Sequence, residues 1–347
     1  MKEKVIVGMS GGVDSSVTAL LLKEKGYDVT GVCLKLIGNE NGIEDAKKVC
    51  ESLGVGFDII DNSSEFKKEV IDYFTEEYLS GRTPNPCCVC NRKIKFKALA
   101  EYADQNGAGF IATGHYAKVV MLDNGRYSIK NAEHAQKDQT YALYDLTQEQ
   151  LARLLMPLGE YTKDTVRKIA QNTGLTVADK KDSQDICFIP DGDYASFLRR
   201  NVDPARMPGE GDFVLSDGRV IGKHTGYTDY TIGQRRGLNI AAGHRVFVSK
   251  ICPETNKVVI SHEDVYSDTL ICDNMNMMAI SRIEEPVYVF AKVRYAHRGE
   301  WGILKALNDG SFECVFDNEV RAITPGQAVV FYKDDYILCG GIIKGTG

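Results

Sequence analysis

Cysteines offer the most direct chemistry in this 347-residue chain. Cys87 and Cys90 sit in GRTPNPCCVCN (81–91), and Cys187 lies much further on, in DSQDICFI (182–189). A thiolate is both a nucleophile and a soft-metal ligand. Cys-x-x-Cys spacing suits a zinc site, a redox pair or part of an iron–sulfur site. Structural zinc calls for four ligands, and neither a second Cys-x-x-Cys nor a paired histidine follows. Pro84 and Pro86 forbid a regular helix before the thiols, whereas the basic run NRKIKFK (91–97) after them looks helical. Cysteines at such a helix start, beside Arg and Lys, are expected to have a lowered pKa. Taken alone, Cys187 in its apolar ICFIP setting reads as a core residue, and Cys88 as a spare or packed thiol.

The second reactive stretch is SGGVDSS (10–16), between a strand-like run (4–9) and an apolar helical run (14–26). Glycines admit close backbone approach, and a helix start offers free N–H donors and partial positive charge. Together these make an anion site, most often for phosphate. No lysine stands where a Walker A loop needs one, and G-x-G-x-x-G is absent. A tight turn with one helix cap would not need two glycines and three hydroxyls.

These residues must be positioned by a scaffold. Strand-like runs at 4–9, 28–36, 56–60 and 109–113 alternate with helical runs at 14–26, 43–53, 64–79 and 92–105. Such alternation predicts an α/β domain with a parallel sheet, helices on both faces and ligands beyond the carboxyl ends of the strands. The loop at 10–16 and the GHY at 114–116 both fall on that side, and Leu34 lies near the end of the second strand. A helical stretch with polar links runs from 147 to 173. Beyond about residue 205, Gly, Pro and Asp increase and short alternating runs appear (212–215, 219–221, 245–250, 257–260); from about 270 nearly everything reads as strand, including 287–296. A small barrel or sandwich is expected there. The expected division is 1–205, 206–270 and 271–347. The 43% hydrophobic and 26% charged composition is that of an ordinary globular protein. There is no membrane-length apolar run and no signal peptide, so a cytoplasmic location is expected. A net charge of −6 argues weakly against nucleic acid, although basic stripes at 91–97, 199–200, 233–237 and 292–298 keep it open. Cys33, Cys50, Cys252, Cys272, Cys314 and Cys339 read as small buried hydrophobes.

The stretch GMSGGVDSS resembles the PP-loop of ATP pyrophosphatases. Taken in order with GRTPNPCCVCN, ATGHYAK, KDQTYALY, DSQDICFI, YTIGQRRGL and RAITPGQAVVFY, it resembles the tRNA-specific 2-thiouridylases over nearly the whole chain. That resemblance implies a PP-loop α/β domain, a small central domain with tRNA contacts and a C-terminal β-barrel. It implies thiolation of a wobble uridine in tRNA, using ATP and Mg²⁺. Two working cysteines carry over to Cys90 and Cys187. ATP contacts carry over to Gly8, Met9, Ser10, Gly11, Gly12, Val13, Asp14, Ser15, Leu34 and Gly114, with Asp14 a candidate to help hold Mg²⁺. Contacts to the target base map to Asn85, Pro86 and Cys87. Further tRNA contacts map to His115, Lys137, Asp138, Gln139, Arg294, Tyr295 and Gln327. On residue type alone, His115 reads as a capping or packed histidine, and Arg294 and Tyr295 as strand surface.

Many members carry aspartate where this chain has Cys87, so an acid–base role at that position does not transfer. Two sulfur routes follow: a Cys187 persulfide resolved by Cys90, or a 4Fe–4S cluster on Cys87, Cys90 and Cys187, the latter slightly favoured by the Cys-x-x-Cys spacing. The implied partners are the tRNA anticodon loop and a sulfur donor, such as a cysteine desulfurase or a persulfide relay, acting on a monomer. Rival functions are an AMP-forming amide ligase on the same loop, and a nucleic-acid-binding module without chemistry. The segment 80–92 is expected to be mobile, and the Lys/Arg pairs in 91–97 and 233–237 to meet phosphates.

Overall fold

The computed structural model describes residues 2–37, 40–133, 138–180, 186–240 and 244–347. Its first layer is a parallel sheet in the order β3-β2-β1-β4-β7, made of β1 (Lys4–Gly8), β2 (Asp28–Lys35), β3 (Gly56–Asp61), β4 (Phe110–Ala112) and β7 (Leu154–Leu155). The central strands are apolar runs because helices cover both faces: Val5 and Val7 are fully buried on one side, and Ile6 packs into a separate core on the other. Helix α1 (Val13–Glu24) follows β1, and α2 (Glu40–Leu53) follows β2. Helix α3 passes through Ser63–Phe66, a π-helical turn at Lys67–Asp72 and Tyr73–Leu79. Helix α4 likewise passes through Pro86–Cys90, a π-helical turn at Asn91–Phe96 and Lys97–Gln105. The expected helical stretch 147–173 is instead a short helix (Gln148–Ala152), the edge strand β7 and helix α5 (Lys163–Asn172).

A four-stranded sheet, β10-β11-β8-β9, forms the central unit from β8 (Gly211–Leu215), β9 (Val220–His224), β10 (Phe247–Cys252) and β11 (Lys257–Ser261). The last quarter is a barrel of six strands: β12 (Tyr266–Asn276), β13 (Val287–Lys292), β14 (Glu300–Ala306), β15 (Phe312–Arg321), β16 (Ala328–Lys333) and β17 (Tyr336–Thr346). It is closed by antiparallel pairing of β12 with both β15 and β17. The expected boundary at 270–271 therefore falls inside β12. The strand expected at 287–296 stops at Lys292, so Arg294 and Tyr295 stand in a turn rather than on a strand surface.

A hairpin of β5 (Ala117–Met121) and β6 (Tyr127–Asn131) leaves the first layer and joins the barrel sheet beside β17. Ser128 Oγ donates to the Ile337 carbonyl at 2.6 Å, Asn131 N–H to the Asp335 carbonyl at 2.8 Å, and Lys130 pairs with Asp335 at 2.6 Å. Across the same seam, Asn276 Nδ2 donates to the Tyr144 and Leu146 carbonyls, and Gln148 Nε2 to the Met278 carbonyl. No helix among the described residues is long and apolar enough to cross a membrane.

Candidate active site

The loop after β1 is shaped for a ligand rather than for its own closure. Gly12 caps α1 without any side-chain hydrogen bond, which leaves the first-turn N–H donors uncovered. Gly11 has φ +68°, and a Cβ there would lie 2.2 Å from the Gly42 carbonyl oxygen. Ser10 N–H donates to Ser15 Oγ at 3.1 Å, and the Ser16 hydroxyl to the Gly12 carbonyl at 2.8 Å. Gly114, beyond the end of β4, presses on the same turn: a Cβ there would stand 2.8 Å from the backbone of both Asp14 and Ser15.

These residues line a cavity of about 240 Å³. Gly8, Met9, Ser10, Asp14 and Ser15 form one side; Val32, Leu34, Leu36 and Leu99 supply an apolar wall; Lys95, Thr113, Gly114, His115 and Gln139 complete it. Gly11, Gly12 and Val13 complete the loop itself. Leu34 thus lies where a flat apolar group would rest. The Asp14 carboxylate accepts from Lys163 Nζ at 2.7 and 2.8 Å and from the Tyr116 hydroxyl at 2.8 Å. It is therefore already engaged by a cation. Lys163, from α5, had no sequence signal beyond its place in a helical run.

Cys87 and Cys90 stand on α4, the helix whose Lys95 and Leu99 line this cavity. Asn85 caps that helix, its side-chain oxygen accepting from Cys87 N–H at 3.1 Å with Pro86 at the first helical position. Cys87 is exposed; Cys88 is buried, with its thiol 3.9 Å from the Tyr141 carbonyl; Cys90 is buried; Cys187 is exposed. The neighbour of Cys187 anchors it: Phe188 packs edge-on against Phe66 and Phe74, with ring centres 5.7 and 5.4 Å apart, in the same core as Cys90. Cys90, Cys187, Cys87 and Lys95 lie close enough for their charges to act on one another. Burial nevertheless wins over Lys95 and pushes the Cys90 thiol up to about 11, not down as its helix position suggested. Protein packed on one side of Cys187 raises its thiol too, although solvent reaches this residue. Among the described residues no three His, Cys, Asp or Glu side chains are arranged to hold a metal ion. A cluster spaces its thiolate ligands more widely than a single ion does, and Cys87, Cys90 and Cys187 lie near enough for their charges to act on one another.

Around the site, His115 stacks on Phe96 and shares a 2.8 Å hydrogen bond with Thr113. Burial, helped by Lys95, lowers its pKa to about 3, so it is a neutral imidazole. Gln139 accepts from Tyr116 N–H at 2.9 Å, and Asp138 accepts from Thr140 and faces Lys292 at 3.8 Å. Arg294 donates to the Arg321 carbonyl at 2.9 Å, and Tyr295 is exposed beside Tyr141. Gln327 Nε2 donates to the Thr83 and Pro84 carbonyls, and Thr83 N–H to the Pro325 carbonyl, so the segment expected to move is tied to the barrel at its base. Lys137 lies outside the described residues. The basic run 91–97 is largely neutralised: Arg92 pairs with Asp145, Lys93 with Glu69 and Lys97 with Glu65. Five of the six lone cysteines are buried as expected, whereas Cys252 is only partly so.

A chain with this loop, sheet and barrel matches three family models in turn. They are the tRNA methyl transferase HUP domain over residues 3–191, the tRNA methyl transferase PRC-barrel domain over 195–262 and the aminomethyltransferase beta-barrel domain over 267–343. Curated relatives narrow the class. The tRNA-specific 2-thiouridylase MnmA of Lachnoclostridium phytofermentans is 49% identical, covering 98% of this chain and 99% of its own. That of Clostridium acetobutylicum is 47% identical, covering 99% and 100%. The chain belongs to the tRNA-specific 2-thiouridylase family. Solved structures align loosely: a 4-thiouridine synthetase–RNA complex with bound ATP is 18% identical, with a TM-score of 0.36, covering 57% of this chain and 50% of that one.

Proposed function

We propose that this protein is a tRNA-uridine 2-sulfurtransferase that adenylates O2 of the wobble uridine and then replaces that oxygen with sulfur. The observation that carries the reading is the cavity at the PP-loop, into which Lys95 reaches from the helix that bears Cys90. Methyl transfer, named in the domain descriptions, would leave the phosphate-gripping loop and the thiols without a part. An amide ligase would leave the thiols idle, and a binding module would not need the loop.

The open N–H donors of α1 and the Ser10 and Ser15 hydroxyls would grip the β- and γ-phosphates of ATP, with the adenine against Leu34. Mg²⁺ would arrive on the triphosphate, since Asp14 is held by Lys163. Extruding a base costs only a few kcal/mol, and less from a single-stranded loop, which suits an anticodon base. Asn85, Pro86 and Cys87 would meet that base. His115, Lys137, Asp138, Gln139, Arg294, Tyr295 and Gln327 would border the tRNA, His115 by stacking or hydrogen bonding rather than by charge. Uridine O2 attacks the α-phosphorus and pyrophosphate leaves. The terminal sulfur of a Cys187 persulfide then attacks C2, and O2 departs with AMP. Cys90 thiolate attacks the Cys187 sulfur; the S–S electron pair passes to the uridine sulfur, giving 2-thiouridine and a Cys90–Cys187 disulfide. A cellular dithiol resets the pair, and a persulfide donor such as a cysteine desulfurase or a relay protein reloads Cys187. We place this work in the cytoplasm, on a monomer.

The test is anaerobic purification followed by assay with tRNA, ATP and a persulfide donor. Iron-free protein should form 2-thiouridine with one AMP and one pyrophosphate per base. A brown protein with about four irons per chain, inactive once stripped of them, would replace the persulfide route with a cluster.

A further inference from the structure

Lys95 is placed unlike the other lysines of its helix. Lys93 and Lys97 point to carboxylates on the protein surface. Lys95 is half-buried and lines the nucleotide cavity opposite Ser10, Asp14 and Ser15. Its ammonium donates to Asn91 Oδ1 at 3.2 Å, and among the described residues no carboxylate lies within ion-pair distance of it. A cation withdrawn from water without a carboxylate is costly and is retained where a function requires it.

The local helix explains how it arrives there. In an α-helix, residues five apart point about 140° away from each other. Cys90 and Lys95 are five apart, but the Asn91–Phe96 segment is a π-helical turn with its wider i→i+5 bonding. That turn rotates Lys95 back toward the face carrying Cys90 while its tip reaches the cavity. Cys87, Cys90 and Cys187 are the groups whose charge acts on it.

We infer that Lys95 is a further catalytic residue of the thiolation reaction, its ammonium bridging the phosphate end of the cavity and the sulfur pair. There it neutralises the charge that builds on the α-phosphoryl group during adenylation. It then faces the anionic sulfur that displaces AMP. One fixed cation serves both steps because each puts negative charge on the α-phosphoryl oxygens, first as pyrophosphate leaves and then as the sulfur anion displaces AMP. The inference rests on the thiolation reading given above.

The experiment compares the full-length parent with Lys95→Met and Lys95→Arg in single-turnover assays with tRNA, ATP and a persulfide donor. AMP and 2-thiouridine are read separately, with ATP and tRNA affinities measured on the same samples. Lys95→Met should lose at least about 100-fold in turnover, with KM for both substrates within about threefold of the parent. Lys95→Arg should return to within about tenfold of the parent. If circular dichroism shows Lys95→Met unfolded, Lys95→Gln takes its place with the same expectation. A methionine or glutamine variant within about threefold of the parent overturns the inference. So does an arginine variant as inactive as the methionine one. A parent that makes no 2-thiouridine would instead sink the thiolation reading itself.

Discussion

At the scale of single residues, the decisive balance is between burial and charge at Cys90. Its thiol is raised from the ordinary 9.0 to about 11, because desolvation outweighs the pull of Lys95. The folded state therefore holds the proton more tightly than the unfolded chain. Stability from this group is complete below pH 9 and is lost as pH climbs through about 11. In tRNA-free protein, alkylation of Cys90 by iodoacetamide, followed by peptide mass spectrometry, should rise about tenfold per pH unit with no plateau near the ordinary thiol value. A plateau there would mean the thiol is already ionised at rest. A resting thiol is consistent with the proposed order, in which Cys90 acts last. The thiols and the loop glycines were legible in the sequence, because residue type and spacing declare them. Lys163 and Lys95 were not, because a lysine in a helical run reads as surface until the fold shows what it faces.

At the scale of elements, Cys187 is held by its neighbour rather than by its own contacts. Phe188 fills a cluster with Phe66, Phe74 and Phe197. Phe188→Ala should destabilise the protein by about 3 kcal/mol, seen as a lower midpoint in urea. Thiolation should fall further than the folded fraction accounts for, since the sulfur carrier loses its anchor; activity that simply follows the folded fraction would deny that anchoring role. The alternating strands and helices of the first layer were readable from hydrophobic period. The β5–β6 hairpin and β7 were missed: the hairpin strands are short and mixed in polarity and join a sheet built from the far end of the chain, while β7 is only Leu154–Leu155, inside a run that reads as helical. The early stop of β13 also escaped notice, since V-R-Y continues the alternation while the backbone turns away.

At the scale of the whole molecule, net charge was a poor guide, and even the local runs of Lys and Arg had to be sorted by their partners. The 91–97 run is occupied by Asp145, Glu69 and Glu65, whereas Arg235 and Arg236 are exposed beside an open hollow of about 570 Å³ in the central unit. Replacing both Arg235 and Arg236 with alanine should weaken tRNA binding and shallow its log–log salt slope by roughly 1–2. Lys93→Ala should leave that slope alone, and equal slopes for all three proteins would assign phosphate contacts elsewhere. The hairpin that crosses from the first layer to the barrel leaves that layer just after Tyr116, whose hydroxyl holds Asp14 and whose backbone N–H holds Gln139. Nucleotide floor and barrel wall are thus one continuous lever. A load on the far end would be felt at Asp14 through the Tyr116 hydroxyl.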